Sequence, residues 1–378
     1  VNKAESIAHF REHVVRRERM NMLLILERDF QLHKEQQLAE AFISSFTDMC
    51  RTITDAQDQG DKGAIGYLMY SMLRTEIAEG RYTYLVEAMD TNWLFDGAPC
   101  AGSYDATWAF RHLEILAKRL TASRQLYGGA VTIPVVERIL LHEALFIHRY
   151  VIALARYALP RAVQLKEYQD IVKEPVFEIR VGEYMDISEA VFKQDEREQA
   201  PQAVKAWLDE KSDGEYAYES FRNLKLTDGD YGELDFRYSD FIDSNLSHSL
   251  LRDCVLIGTR WIGSDLKGAD FSRCKVHGAE FRDCDLKGAV FRDIEGSNGW
   301  EESRFLYMPG ILALSFAGSN VEGADFTGAR LYGADFSDAN VIDAVFDGAN
   351  MKNAVFSVKQ RESVRLNEIQ QAQVLWKM

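Results

Sequence analysis

Cysteine is scarce in this chain of 378 residues: five in all, an odd number, with no CxxC pair among them. That excludes a disulfide framework and a zinc ligand set built on cysteines, and it makes a reducing, cytoplasmic compartment the expectation. Basic charge is also short, 44 Lys and Arg against 59 Asp and Glu, a formal net charge of −15 at pH 7. Phosphate binding needs a basic face, so direct nucleic-acid binding is not expected, and a basic surface on another molecule is the better match. No apolar run is clean enough for a membrane span. The longest, Val135 to Leu159, is broken by Arg138, His142, Glu143, His148, Arg149 and Arg156 and reads as a helix of a soluble core. The opening residues carry no signal-peptide pattern.

The motifs of common catalytic sites are missing as well. There is no Gly-rich phosphate loop, nucleophile elbow or dinucleotide fingerprint. His142, Glu143 and His148 superficially resemble a metalloprotease helix, which requires histidines four apart with Glu directly after the first. Here they are six apart, on faces rotated by about 240°, and they read as surface or core residues. No catalytic residue, cofactor or metal is expected, and the chain is not expected to be an enzyme.

What is present is a five-residue beat from Leu226 to Phe356. Fourteen positions in unbroken phase are apolar, from Leu226, Tyr231, Phe236 and Phe241 through Trp261 and Phe281 to Phe291. The beat resumes in phase from Phe316 through Phe326, Phe336 and Phe346 to Phe356. Two residues before the centres stand small residues: Ser239, Ser244, Ser249, Cys254, Thr259 and Ser264 early, then Ala324 and every fifth Ala to Ala354. A period of five fits neither a helix nor a flat strand. It fits a solenoid of short repeated sides, each sending one large apolar side chain inward beside a small one. Cys254 and Cys274, both at small sites, read as buried packing residues.

The segments "GADFTGARLYGADFSDANVIDAVFDGANMKNAVF" and "SDLKGADFSRCKVHGAEFRDCDLKGAVF" resemble the pentapeptide repeat family, A(D/N)LXX with Phe allowed at the centre. The resemblance covers roughly the last 40% of the chain. It implies a right-handed quadrilateral β-helix with four pentapeptides per coil. Trp261 would then lie between Phe241 and Phe281, and Phe326 under Phe346.

The expected fold class is therefore α plus β-solenoid: an N-terminal α-helical domain over 1–213, the β-helix over 214–358, and a C-terminal helix over 359–378 serving as a cap or a homodimer contact. In the first part, two helices are expected with a break near Asp29, the second carrying an apolar stripe of Leu38, Phe42, Phe46 and Met49. A third helix is expected to end at Glu79, "RYTYLVEAM" reads as strand or helix restart, and 96–103 as a connection. Later come a helix stopped by Gly128 and Gly129, a long helix with Pro134 in its first turn, a strand over "VFEIRVGEYM" and a helix over 198–211.

Two places hold the candidate partner-binding residues. The first is an interruption at 295–315, where the small-site rule fails and an insertion is expected; Trp300, Tyr307 and Met308 lie in it, either folded onto the wall or as anchors for a partner. The second is the late acidic group Asp325, Asp335, Asp338, Asp343 and Asp347. Functionally, the resemblance implies a non-enzymatic protein-interaction scaffold of bacterial origin, whose best understood relatives protect DNA gyrase and topoisomerase IV from quinolones as acidic, DNA-mimicking rods. Arg252, Arg260, Lys267, Arg273, Lys275, Arg282, Lys287 and Arg292 in the earlier coils argue against a uniform DNA-like field. The alternatives are a secreted bacterial effector, or an enzyme with its site in the first domain and the solenoid as docking arm.

Overall fold

The computed structural model describes residues 2–97, 100–296 and 313–378. They fall into two compact units, the first running to Asp195 and the second starting at Glu196.

In the first unit, Asn2 and Glu5 form a capping box that starts α1 (Lys3–His9). The helix continues through a π-helical turn, Phe10–Val15, into α2 (Arg16–His33), and a second such turn, Lys34–Leu38, leads to α3 (Ala39–Asp58). The expected break at Asp29 is absent because its carboxylate accepts from Arg111 of α5 (Thr107–Ser123) at 3.0 Å instead of capping a helix end. Leu38, Phe42, Phe46 and Met49 are buried, as their spacing requires. Pro134 occupies the first turn of α6 (Ile133–Ala162), which packs on α3 and α5.

A purely helical first domain is not what forms. A five-stranded sheet in the order β3-β2-β1-β4-β5 joins the helices: β1 (Ile65–Met72), β2 (Thr83–Met89), β3 (Cys100–Asp105), β4 (Lys173–Glu183) and β5 (Ser188–Asp195). Only β1 and β4 are parallel. The expected third helix is thus strand β1 followed by the short α4 (Arg74–Ala78). The reason is that "IGYLMYSM" is the central strand, buried at every position except Tyr67, so it lacks the alternation that marks a half-exposed strand. The stretch read as a connection likewise supplies β3, paired along β2. After α6, α7 (Lys166–Gln169) leads into β4.

The second unit begins with α8 (Pro201–Asp209), so the boundary expected near Asp213 moves upstream. Val204 and Leu208 are buried in the solenoid core, and the Trp207 ring lies 4.9 Å from Tyr216 and 6.2 Å from Phe221. The end of a stacked repeat leaves its apolar interior open, and α8 covers it.

Beyond α8 each pentapeptide pairs in parallel with the residue 20 positions on: Lys225 with Asn245, Asp230 with Leu250, Asp235 with Val255. On one side the bridges widen into strands β6 (Ser220–Arg222), β7 (Asp240–Ile242), β8 (Arg260–Ile262) and β9 (Glu280–Arg282). Each turn therefore takes four pentapeptides, and like positions stack. Phe241 and Trp261 are stacked nearly parallel with centroids 3.9 Å apart, Trp261 and Phe281 lie 5.8 Å apart, and Phe326 and Phe346 5.1 Å apart, the neighbours expected.

The small sites have a second task. Ser249 Oγ donates to Leu226 O at 2.9 Å, Cys254 Sγ to Tyr231 O at 3.0 Å, and Cys274 Sγ to Leu251 O at 2.8 Å. These thiols satisfy corner carbonyls of the coil before, and burial pushes the Cys274 and Cys284 thiols up, the latter to about 12. They are structural and unreactive.

At the interruption the register jumps: Glu280 pairs with Ser315, Asp285 with Asn320 and Glu295 with Arg330, steps of 35 residues instead of 20. Three pentapeptide lengths have been inserted while the wall continues on both sides. Size is exchanged locally to keep the core filled. Gly296 stands where a large centre belongs, and Leu314 stands at a small site with its Cδ2 where a Gly296 Cβ would be, 2.5 Å away. Leu314 and Ile294 are both fully buried.

Corners turn through left-handed residues, and side chains there lie over glycines in the next coil. At Gly263 (φ +63°) a Cβ would meet Asp243 Oδ1 at 2.6 Å. Gly263→Ala is expected to cost about 1–2 kcal/mol, since the conformation and the close approach both penalise it. Chemical denaturation of the full chain measures this, and an unchanged midpoint would show that Asp243 simply swings aside.

The tail is not one helix over 359–378. Ser357 caps a 3₁₀ turn, Val358–Gln360, α9 spans only Glu368–Gln373, and β11 (Leu375–Lys377) pairs in parallel with β10 (Val355–Ser357). Trp376, 20 positions after Phe356, adds one more ring to the aromatic column at 6.0 Å. Gln360 Nε2 donates to Phe336 O and Ala339 O, and Gln370 Nε2 to Phe346 O and Ala349 O, at 2.7 to 3.1 Å. Two buried amides thus occupy carbonyls that a further coil would have paired.

Candidate interaction surface

Inward positions of the solenoid are filled, so any chemistry it offers lies on the outward residues between centres. The five late aspartates share no single side. Asp335 and Asp338 flank Phe336, Asp343 lies at the corner after Val341, and Asp325 and Asp347 flank the stacked pair Phe326 and Phe346. Asp338, Asp343 and Asp347 are exposed, while Asp325 and Asp335 are half-buried. Asp325 accepts from Arg292 Nε at 2.6 Å and from Thr327. Burial alone would raise its carboxyl, but these donors outweigh it and hold Asp325 below the ordinary value. Asp338 accepts from Ser357 Oγ at 3.0 Å, and Asp343 pairs with Arg365 at 2.7 Å. Trp300, Tyr307 and Met308 lie outside the described residues.

Seven of the eight cations named in the earlier coils are bound to carboxylates. Arg273 grips Asp253 through two nitrogens at 2.8 and 2.6 Å, and Arg260 grips the Asp240 carboxylate one coil below. Arg252 pairs with Asp270, Lys267 with Asp265 and Asp285, Arg282 with Glu280, Lys287 with Glu322, and Arg292 with Asp325. Sequence reasoning missed this neutralisation because many of the partners are 18 to 35 residues apart; the 20-residue period was the signal that could have found it. Over 313–358, six carboxylates face two cations, Arg330 and Lys352.

The histidine constellation of the first unit does not converge. His142 is exposed, whereas His148 is buried, shares a 2.7 Å hydrogen bond with Tyr84, and is pushed down to about 4 by burial, so it stays neutral. Among the described residues no group of three or more His, Cys, Asp or Glu is placed to hold a metal ion, and no described helix is long and apolar enough to cross a membrane.

A β-helical solenoid of five-residue sides with an outward charged surface is the class of protein this geometry defines. The family described as pentapeptide repeats matches residues 249–288 and 315–346, in eight copies. The C-terminal part of the chain carries that family's repeats. Similar solved structures include full-length QnrB1, a plasmid-mediated fluoroquinolone resistance protein, at 18% identity over 44% of this chain and 88% of that one, TM-score 0.31. Another is the pentapeptide repeat protein Rfr23 of the cyanobacterium Cyanothece 51142, at 15% identity over 42% and 92%, TM-score 0.17. A third, from the Arabidopsis thaliana thylakoid lumen, has 22% identity over 43% and 81%, TM-score 0.19. No curated protein sequence matches the chain.

Proposed function

We propose that this chain is a non-enzymatic protein-interaction scaffold, its solenoid a right-handed quadrilateral β-helix that presents an acidic rod to a basic groove on a protein partner, a type II DNA topoisomerase such as gyrase or topoisomerase IV. One observation carries the reading: seven of the eight early cations are tied to carboxylates along the rod, so they do not form the basic stripe that would oppose a DNA-like field. The late coils then supply the net charge, with Asp335, Asp338 and Asp347 as the principal contacts and Asp325 and Asp343 attenuated by Arg292 and Arg365. A bacterial cytoplasm is the setting such a partner requires. The free outer edge of β11, where Leu375 is exposed, is the place for a second copy.

A supercoiling assay tests the reading. At micromolar protein, the full chain is expected to inhibit gyrase or to protect it from a quinolone, and Asp335→Asn with Asp338→Asn and Asp347→Asn to weaken that effect several-fold. Neither inhibition nor protection by the unaltered chain would refute the topoisomerase assignment.

A further inference from the structure

Glu143 is a carboxyl in an unusual position. It sits within the 30-residue α6 with its side chain 3% exposed, facing the N-terminal helical segment. Its Oε1 meets Arg19 Nη1 of α2 at a long 3.4 Å, and its Oε2 is buried without a hydrogen-bond partner. Arg19 is drawn aside: its guanidinium lies over the Phe146 ring, 4.5 Å from the centroid. The other charged or titratable groups around the site are Arg11 of the first π-helical turn, His142 on α6 (3.8 Å from Oε1), and Arg149, which also lies over Phe146. A buried carboxylate normally accepts several strong bonds, and one long contact does not replace the water it has lost.

We propose that Glu143 makes the docking of the N-terminal helical segment on α6 pH-dependent, firm in acid and loosened as the pH rises toward neutrality. Burial raises the Glu143 carboxyl from its ordinary 4.5 to about 7, and the nearby arginines only partly oppose this. The docked state thus holds a proton that the undocked state releases. Opening becomes more favourable by about tenfold per pH unit between those two values and levels off above the higher one. What opening exposes is apolar: Phe10, Met22, Leu23 and Leu26 are buried on this segment, and Tyr150 of α6 reaches Leu23 O at 3.4 Å.

Hydrogen exchange on the full chain, corrected for intrinsic rates, tests this. Protection of amides 10–26, referred to those of α3, should fall at least about tenfold from pH 5 to pH 7.5 and then level off. In Glu143→Gln, which cannot ionise but keeps His9 and His13, it should stay flat. If Glu143→Gln does not fold, Arg19→Gln decides, because loss of the cation should carry the fall in protection on beyond neutral pH where the unaltered chain has levelled off. Equal pH profiles for the unaltered chain and Glu143→Gln, or an Arg19→Gln profile that levels off at the same pH, would overturn the proposal.

Discussion

Trp261→Ala should destabilise the solenoid by about 3–5 kcal/mol, the range for removing a large aromatic side chain from a close-packed interior. The ring is fully buried and stacked on Phe241 at 3.9 Å, with Phe281 on its other side and the edge of Phe271 at 5.8 Å. Its Nε1 donates to Thr259 Oγ1 at 3.0 Å, so alanine also removes a buried hydrogen bond. The backbone around it is held by bridges above and below, which prevents the coils from closing on the void. Because each coil touches only its neighbours, a weak coil in the middle divides the rod into two shorter cooperative blocks. Chemical denaturation followed by far-ultraviolet circular dichroism should therefore show a lower midpoint and a broader solenoid transition. Trp261→Phe keeps a stacked ring, since Phe occupies the coils on either side, and should cost under about 1.5 kcal/mol. If alanine proves no worse than phenylalanine, the aromatic column is not what holds these coils together.

The same column explains why the solenoid was legible in the sequence and the first unit was not. A solenoid asks the same question of the chain every five residues, and Phe, Leu and Ala answer it the same way, so periodicity alone identifies wall, centre and small site. Its cross-coil bonds, such as Arg273 to Asp253, follow once the 20-residue turn is known. In the first unit β1 is buried on both faces and has no period to read. Asp29 had the composition of a helix stop but found a partner in Arg111, a contact between segments 82 residues apart. The role of α8 depended on what it covers, and its amphipathic pattern did not say to which unit it belonged. Glu143 stood out in the sequence only as part of a poor metal motif. Its isolation becomes visible when the surrounding helices are in place.

Deletion from Arg361 onward should have the largest effect at the level of the whole molecule, causing it to aggregate. Three things are lost together. Strand β10 loses its partner β11 and presents an unpaired parallel edge. Phe356 loses the covering ring of Trp376, and Phe346 O and Ala349 O lose the Gln370 amide. The aromatic column and the edge then form a template on which another chain can continue the stack. Gln370→Ala separates these effects, since it leaves the β11 segment in the chain and removes the two carbonyl bonds together with the Asn367 N–H bond that caps α9, at about 1–3 kcal/mol. Light scattering on the two variants distinguishes the roles of the tail. Aggregation of the deletion with a soluble Gln370→Ala points to edge protection, whereas a soluble, smaller particle after deletion identifies the tail as the contact between two copies. A deletion that keeps both the solubility and the particle size of the full chain would show that the solenoid end needs no cover, against the expectation from its exposed edge.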